Sequence, residues 1–242
     1  MAQEGEEALK RAAVARVADS HDPALSVGIG RVYVKQAALR AAYDVIEARG
    51  RAAGLSRQAW NPQVREWQAA ERDLMQGVDD LVQREVASGA WVQQAWSRLI
   101  AETLSAEEAD EIAVHFQTEG GRLQRRVIEW FVGELTLQTY TFTDRLKYGV
   151  PGSEREMRDL QEITYARIFR GIQDFTEYPN AMRFASKDPG VKYMKMMVMQ
   201  GVHAVHLHLE ALAEEVRRTI RSRVALVDPY VGRAKDAVGK NG

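Results

Sequence analysis

Three of the five histidines in this 242-residue chain fall within six positions, His203, His206 and His208, and Glu210 follows two residues later. On a helix, His206 and Glu210 are four apart and share a face, with His203 one turn earlier on the same flank. That spacing can chelate a metal, and histidine–carboxylate sets of this kind build di-iron centres in helical bundles. Such centres take a Glu-x-x-His from each of two helices and a glutamate from each of two more. No Glu-x-x-His is present here, and His115 is the histidine that another core-forming segment offers. Structural zinc usually needs four protein ligands and catalytic zinc three. The histidines are therefore expected to be satisfied core or boundary residues, ahead of a metal site or a pH-sensitive partner contact. No metal and no cofactor is expected.

The same stretch, YMKMMVMQGVHAVHLHLE (193–210), carries four of the eight methionines. Methionine fills irregular gaps in cores and also lines adaptable binding surfaces. A second suggestive segment is 130–148, where Trp130, Phe131, Tyr140, Phe142 and Tyr148 mix with Thr136, Thr139, Thr141 and Thr143. Aromatic rings and hydroxyls on one helix suit an apolar cavity with a few polar anchors. The plainer alternative is an aromatic core on one side and a threonine surface on the other. The candidate ligand- or partner-binding residues are Trp130, Tyr140, Phe142, Met196, Met199, His203 and His206.

Catalytic signatures are missing. There is no P-loop, no Gly-x-Gly-x-x-Gly, no His-Glu-x-x-His and no Gly-x-Ser-x-Gly. The acidic runs EGEE (4–7) and EEADE (107–111) sit where helix N-termini favour negative charge. With no cysteine, thiolate catalysis, thiolate metal sites and disulfides are excluded. An enzyme is not expected.

The elements that would position these residues read as helices throughout. Asp22-Pro23, Asn61-Pro62, Asp188-Pro189 and Asp228-Pro229 each pair an N-cap side chain with a proline that suits the first turn. Ser105 with Glu108 and Ser153 with Glu156 read as capping boxes. Leu74, Val78, Leu81, Val82 and Val86 line one face of a third segment. Ile163 to Phe175 form a less regular one. LTLQTYTFT (135–143) alternates like a strand, but Ile128, Phe131, Leu135, Phe142 and Leu146 keep helical spacing through it, so it is expected to be helical. From Asp188 to about Arg223, Val198, Val202, Val205, Leu209, Leu212 and Val216 repeat at intervals of four and three, a continuous packing seam. These marks predict an all-α fold: one domain over 1–242, a bundle of seven or eight helices around a central buried helix at 188–223. Residues 1–60 are its most separable piece, a peripheral helical hairpin.

Charge and hydropathy narrow the partners. Lys plus Arg (33) nearly balances Asp plus Glu (34), which does not suit a nucleic-acid binder. No apolar run approaches the roughly 20 residues of a membrane span. The opening MAQEGEEALKRAAVARVAD goes directly into an amphipathic pattern and fits a mature segment behind a start methionine, with a cytoplasmic chain as the alternative.

The segment LSAEEADEIAVHFQTEGGRLQRR (104–126) resembles a family of helical bacterial envelope proteins with a Phe-Tyr-x-Ser/Thr-Pro-x-Gly turn. Leu104, Ser105, Glu107, Glu108, Phe116, Thr118 and Gly121 match it. Glu119 stands where proline is usual, and His115 replaces one of the aromatic pair. A related arrangement recurs in RFASKDPGVKYMKM (183–196), through Phe184, Ser186, Pro189, Gly190 and Lys192 with one extra residue. The resemblance implies a periplasmic location and no particular activity. The leading expectation is a non-enzymatic periplasmic protein that binds another protein, as an immunity-type inhibitor of a toxin or an envelope accessory factor. The runner-up is a carrier of a lipid or other apolar ligand, held between the 130–148 and 190–222 helices. A His/Glu metal protein or enzyme stands third. Oligomeric state is not encoded in any pattern.

Overall fold

The computed structural model describes residues 2–147 and 176–239, with side chains described over 5–136 and 176–239. The Ser153–Glu156 box and the Ile163–Phe175 spacing lie outside these residues. Of the remaining start signals, Asp188 and Asp228 are the first residues of their helices, with Lys187 at the N-cap position before Asp188 and no side-chain cap there. Asp22 Oδ1 accepts from Ala24 N at 2.9 Å, and a helix follows at once. Asn61 Oδ1 accepts from Gln63 N at 2.9 Å, but there a turn intervenes before the helix starts at Arg65. The Ser105–Glu108 capping box is complete in both directions, at 3.1 and 2.7 Å.

The helices in chain order are α1 (Ala2–Ser20), α2 (Ala24–Ala52), α3 (Arg65–Met75), α4 (Val78–Glu85), α5 (Ala90–Thr103) and α6 (Ala106–Gln117). Next come α7 (Glu119–Lys147), α8 (Tyr178–Ala185), α9 (Asp188–Met196), α10 (Val202–Ser222) and α11 (Asp228–Gly239). A π-helical turn (Met197–Gly201) joins α9 to α10, and a 3-10 turn (Val224–Val227) precedes α11. No strand occurs among the described residues. The alternating stretch 135–143 is helical, inside α7.

Two expectations are corrected. The described residues hold eleven helical segments, nine of them nine residues or longer, instead of seven or eight. One cause is Gly77: at φ +82° it takes the left-handed conformation that ends α3 and starts α4, splitting the predicted third segment. The seam over 198–216 is also not continuous. The π turn adds a residue to one turn and rotates the side chains before it relative to those after it. Val205, Leu209, Leu212 and Val216 are buried, while Val198 and Val202 are only half-buried.

The chain divides into two compact units. The first comprises residues 1–29 and 88–208, the second 30–87 and 209–242. In the first, α1 packs on α5 and α6. Its buried stripe, Ala13, Val14, Val17 and Ala18, is half alanine, which permits close helix approach, and α6 contributes Ala109, Ile112, Ala113 and Phe116. Farther along, Leu123, Phe131 and Leu135 of α7 form a cluster with Val127, Tyr178, Val198 and Val202.

The second unit takes α2 from Gly30 onward, α3, α4, α10 from Leu209 onward, and α11. Ala37, Ala38, Ala41 and Ala42 form the small-residue face of α2, beside the buried Tyr33 and Ile46. Trp60 and Trp67 lie 5.5 Å apart, and Trp60 Nε1 donates to Ile46 O at 2.8 Å. Arg223 Nη1 donates to Gln76 O at 2.7 Å, satisfying a carbonyl just past the end of α3. Arg49 pairs in two places with Asp228, the residue that opens α11.

Candidate functional site

A buried polar network of the first unit begins where α1 ends. The turn at Ser20–Asp22 directs His21 inward, leaving it 3% exposed. Its Nδ1 lies 2.8 Å from Glu129 Oε1, on α7, and its Nε2 meets the hydroxyl of Tyr193, on α9. Glu129 Oε1 also accepts from Asp22 N at 2.9 Å, and Arg125 Nε lies 3.6 Å from the same oxygen. With Glu129 as a carboxylate, the proton sits on Nδ1 of a neutral imidazole, and Nε2 accepts from the tyrosine. Trp96 and Phe116 wall the imidazole at ring distances of 4.9 and 5.7 Å.

Hydroxyl, imidazole and carboxylate in a row is the arrangement that activates a nucleophile in hydrolases. The electrostatics here run the other way. Burial holds His21 below its ordinary range, against the pull of Glu129. Burial, reinforced by the Glu129 charge, raises the Tyr193 hydroxyl well above its own. The tyrosine is 1% exposed, so no substrate atom reaches it. The chain of hydrogen bonds satisfies a buried carboxylate and ties α1, α7 and α9 together.

Nothing in the local spacing announced this group, because His21 is 108 residues from Glu129 and 172 from Tyr193. The residues the sequence singled out are more dispersed. Met196 is buried, whereas Met199 is 68% and Trp130 37% exposed. His203 is exposed and His206 half-buried, while the His208 ring stacks on Trp91 at 4.7 Å. Glu210 accepts from Tyr33 Oη and, at 2.9 Å, from Arg217 Nη1, so this carboxylate is held in an ion pair. The side chains of Tyr140 and Phe142 lie outside the described ones. Thr136, expected on a hydroxyl-bearing surface or as a cavity anchor, is fully buried and donates to Val132 O at 2.7 Å. No cluster of three or more His, Asp or Glu placed to hold a metal exists among the described residues.

Concave features open on the first unit among the described residues. A groove of about 520 Å³ runs between α1 and α5. Val14, Ala15, Ser97 and Ala101 line it with small side chains, and Glu7, Lys10, Arg11 and Arg98 complete the lining with charge. A smaller cavity of about 310 Å³ lies at the start of α7, lined by Glu119, Arg122, Leu123, Arg125, Arg126 and Glu177. Compared with known proteins, the chain matches no family model, no curated protein and no solved structure.

Proposed function

We propose that this protein works by binding another protein, as a non-enzymatic inhibitor or accessory factor of the bacterial envelope, built on the 188–222 helical run as its central scaffold. The observation that carries this reading is the α1/α5 groove. Its small, apolar lining admits the ridge of an amphipathic helix, a common way for a helical surface to receive a peptide segment. Arg98 is paired with Glu102, while Lys10 and Arg11 still outnumber Glu7 among the lining charges, so the partner segment is one with acidic flanks. The arrangement among the described residues that resembles a catalytic set is buried and held at pKa values unsuited to attack. The envelope location rests on the resemblance of residues 104–126.

Packing between α7 and the 190s favours this reading over an apolar carrier, because Phe131 and Leu135 meet Val198 and Val202 where a ligand would lie. No helix among the described residues is long and apolar enough to cross a membrane. Native mass spectrometry of the purified protein, alone and mixed with envelope extract, tests the proposal. A complex that forms with the parent protein and is lost in Ala15→Trp, which fills the groove, is the expected result. A stoichiometric lipid mass on the protein alone would favour the carrier instead.

A further inference from the structure

The first two turns of α7 gather three guanidinium groups around one small cavity. Arg122 and Arg126 stand four apart on one face with Glu119 and Leu123, and Arg125 flanks them. Three of the cavity's charges are already engaged. Arg122 Nη1 donates to Gln117 O at 2.7 Å, and its Nη2 lies 3.9 Å from Glu119. Glu177 Oε2 accepts from Asn180 Nδ2 at 2.8 Å.

The other two guanidiniums are less well matched. Arg125 Nε is buried and hydrogen-bonds to no described atom. At 3.6 Å, Glu129 Oε1 is beyond hydrogen-bond distance, and that oxygen already accepts from His21 and Asp22. Arg126 is exposed and forms no ion pair with any described residue. The lining holds three guanidiniums against two carboxylates, and Arg125 is paired with Glu129 outside the lining. Arg126 is the guanidinium without an ion pair among the described residues, and the positive end of the α7 dipole adds to its charge. Arginine's planar fork matches the geometry of a carboxylate or phosphate group. At about 310 Å³ the cavity is at the small end of ligand sites, which run from roughly 300 to 1,000 Å³.

We propose that this cavity binds a small oxyanion, a carboxylate or phosphate group, held by Arg126 and Arg125 against the apolar side of Leu123. The proposal goes beyond protein binding and is independent of the α1/α5 groove. Calorimetric titration tests it at constant ionic strength, with inorganic phosphate in one arm, acetate in a second and sodium chloride as the reference. Saturable heat with phosphate or acetate, absent with chloride, is expected, and the arm that responds names the oxyanion. Arg126→Gln, at an exposed position, should weaken that binding by about tenfold or more, the loss of one charge-assisted hydrogen bond. Glu119→Gln removes a competing carboxylate and should tighten it, while Arg98→Gln, in the other concavity, leaves it unchanged. No saturation in either arm would overturn the site, as would an Arg126→Gln protein that binds as the parent does.

Discussion

Gly121→Ala isolates the contact on which the α6–α7 turn depends. A Cβ built at Gly121 would sit 1.9 Å from His115 O, 2.5 Å from His115 C and 2.7 Å from Phe116 Cα. These are backbone atoms of the last turn of α6, so no side-chain rotation relieves the overlap. Ordinary contact begins at 3.4 Å, and the oxygen must therefore withdraw by well over an ångström. Moving it disturbs the cap that shapes the turn, in which Thr118 Oγ1 donates to His115 O at 2.7 Å and accepts from Gly121 N at 3.0 Å. Overpacking of this kind typically costs about 1–3 kcal/mol, offset by up to ~1 kcal/mol of alanine's better helix propensity. The rigidity of the contact puts the net loss at the upper end, about 2 kcal/mol, or roughly 4–8 °C in melting temperature at this chain length.

Gly232→Ala is the matched control. It also lies in a helix, α11, but a Cβ there meets nothing within 4 Å, so alanine should stabilise by ~0.5–1 kcal/mol. Thermal melts followed by far-ultraviolet circular dichroism compare the two. A Gly121→Ala protein that melts at or above the parent would refute the close-approach argument, whatever Gly232→Ala does.

The two cores, and His21 and His115 of the first unit, give three further expected outcomes. Leu209 is fully buried, so Leu209→Ala should lose about 2–5 kcal/mol, and an unchanged urea midpoint would place it at the surface. Tyr193→Phe removes the donor to His21 Nε2 and should lose about 1–3 kcal/mol in the same assay, since a buried acceptor is left unpaired. The pH dependence has a definite sign. Burial lowers His21 despite Glu129, and burial lowers His115 despite Gln124, so the unfolded chain takes up these protons first as pH falls. Stability should be at its plateau above the unfolded histidine pKa of about 6.5 and decline below it, with a shallower decline in His21→Gln. Urea midpoints from pH 5 to 8 check this, and stability rising on acidification would contradict it.

The features legible in the sequence and those hidden from it divide along physical lines. Helix starts are local events, so Ser105, Glu108 and Asp22 announced them from their own neighbours. Burial of Leu209 and Val216 was legible because helical periodicity is also local. The interruptions were harder to read. Gly77 and the π turn at 197–201 each change the helical phase without breaking the apolar pattern around them. The buried network was not legible at all, since His21, Glu129 and Tyr193 converge only through packing. Spacing drew attention instead to His203, His206 and Glu210, and the structure gives Glu210 to Arg217 and Tyr33.

The recurring turn motif can be judged residue by residue. Phe116 is buried with its ring 5.4 Å from Tyr193 and 5.7 Å from His21. Thr118 caps the turn, and Gly121 allows α7 to meet α6. In the second copy of the pattern, Gly190 stands against Phe184 O as Gly121 does against His115 O, with built Cβ distances of 2.2 and 1.9 Å. The two residues beneath these glycines, His115 and Phe184, stack on each other at 3.9 Å. Glu108 of the first segment accepts from Lys192 of the second at 2.8 and 3.0 Å, which, with the Ser105 backbone bond, holds its carboxyl below the usual range. Each of these residues is thus committed to holding one helical turn or to docking the two turns together. A motif so occupied holds the two helical turns together.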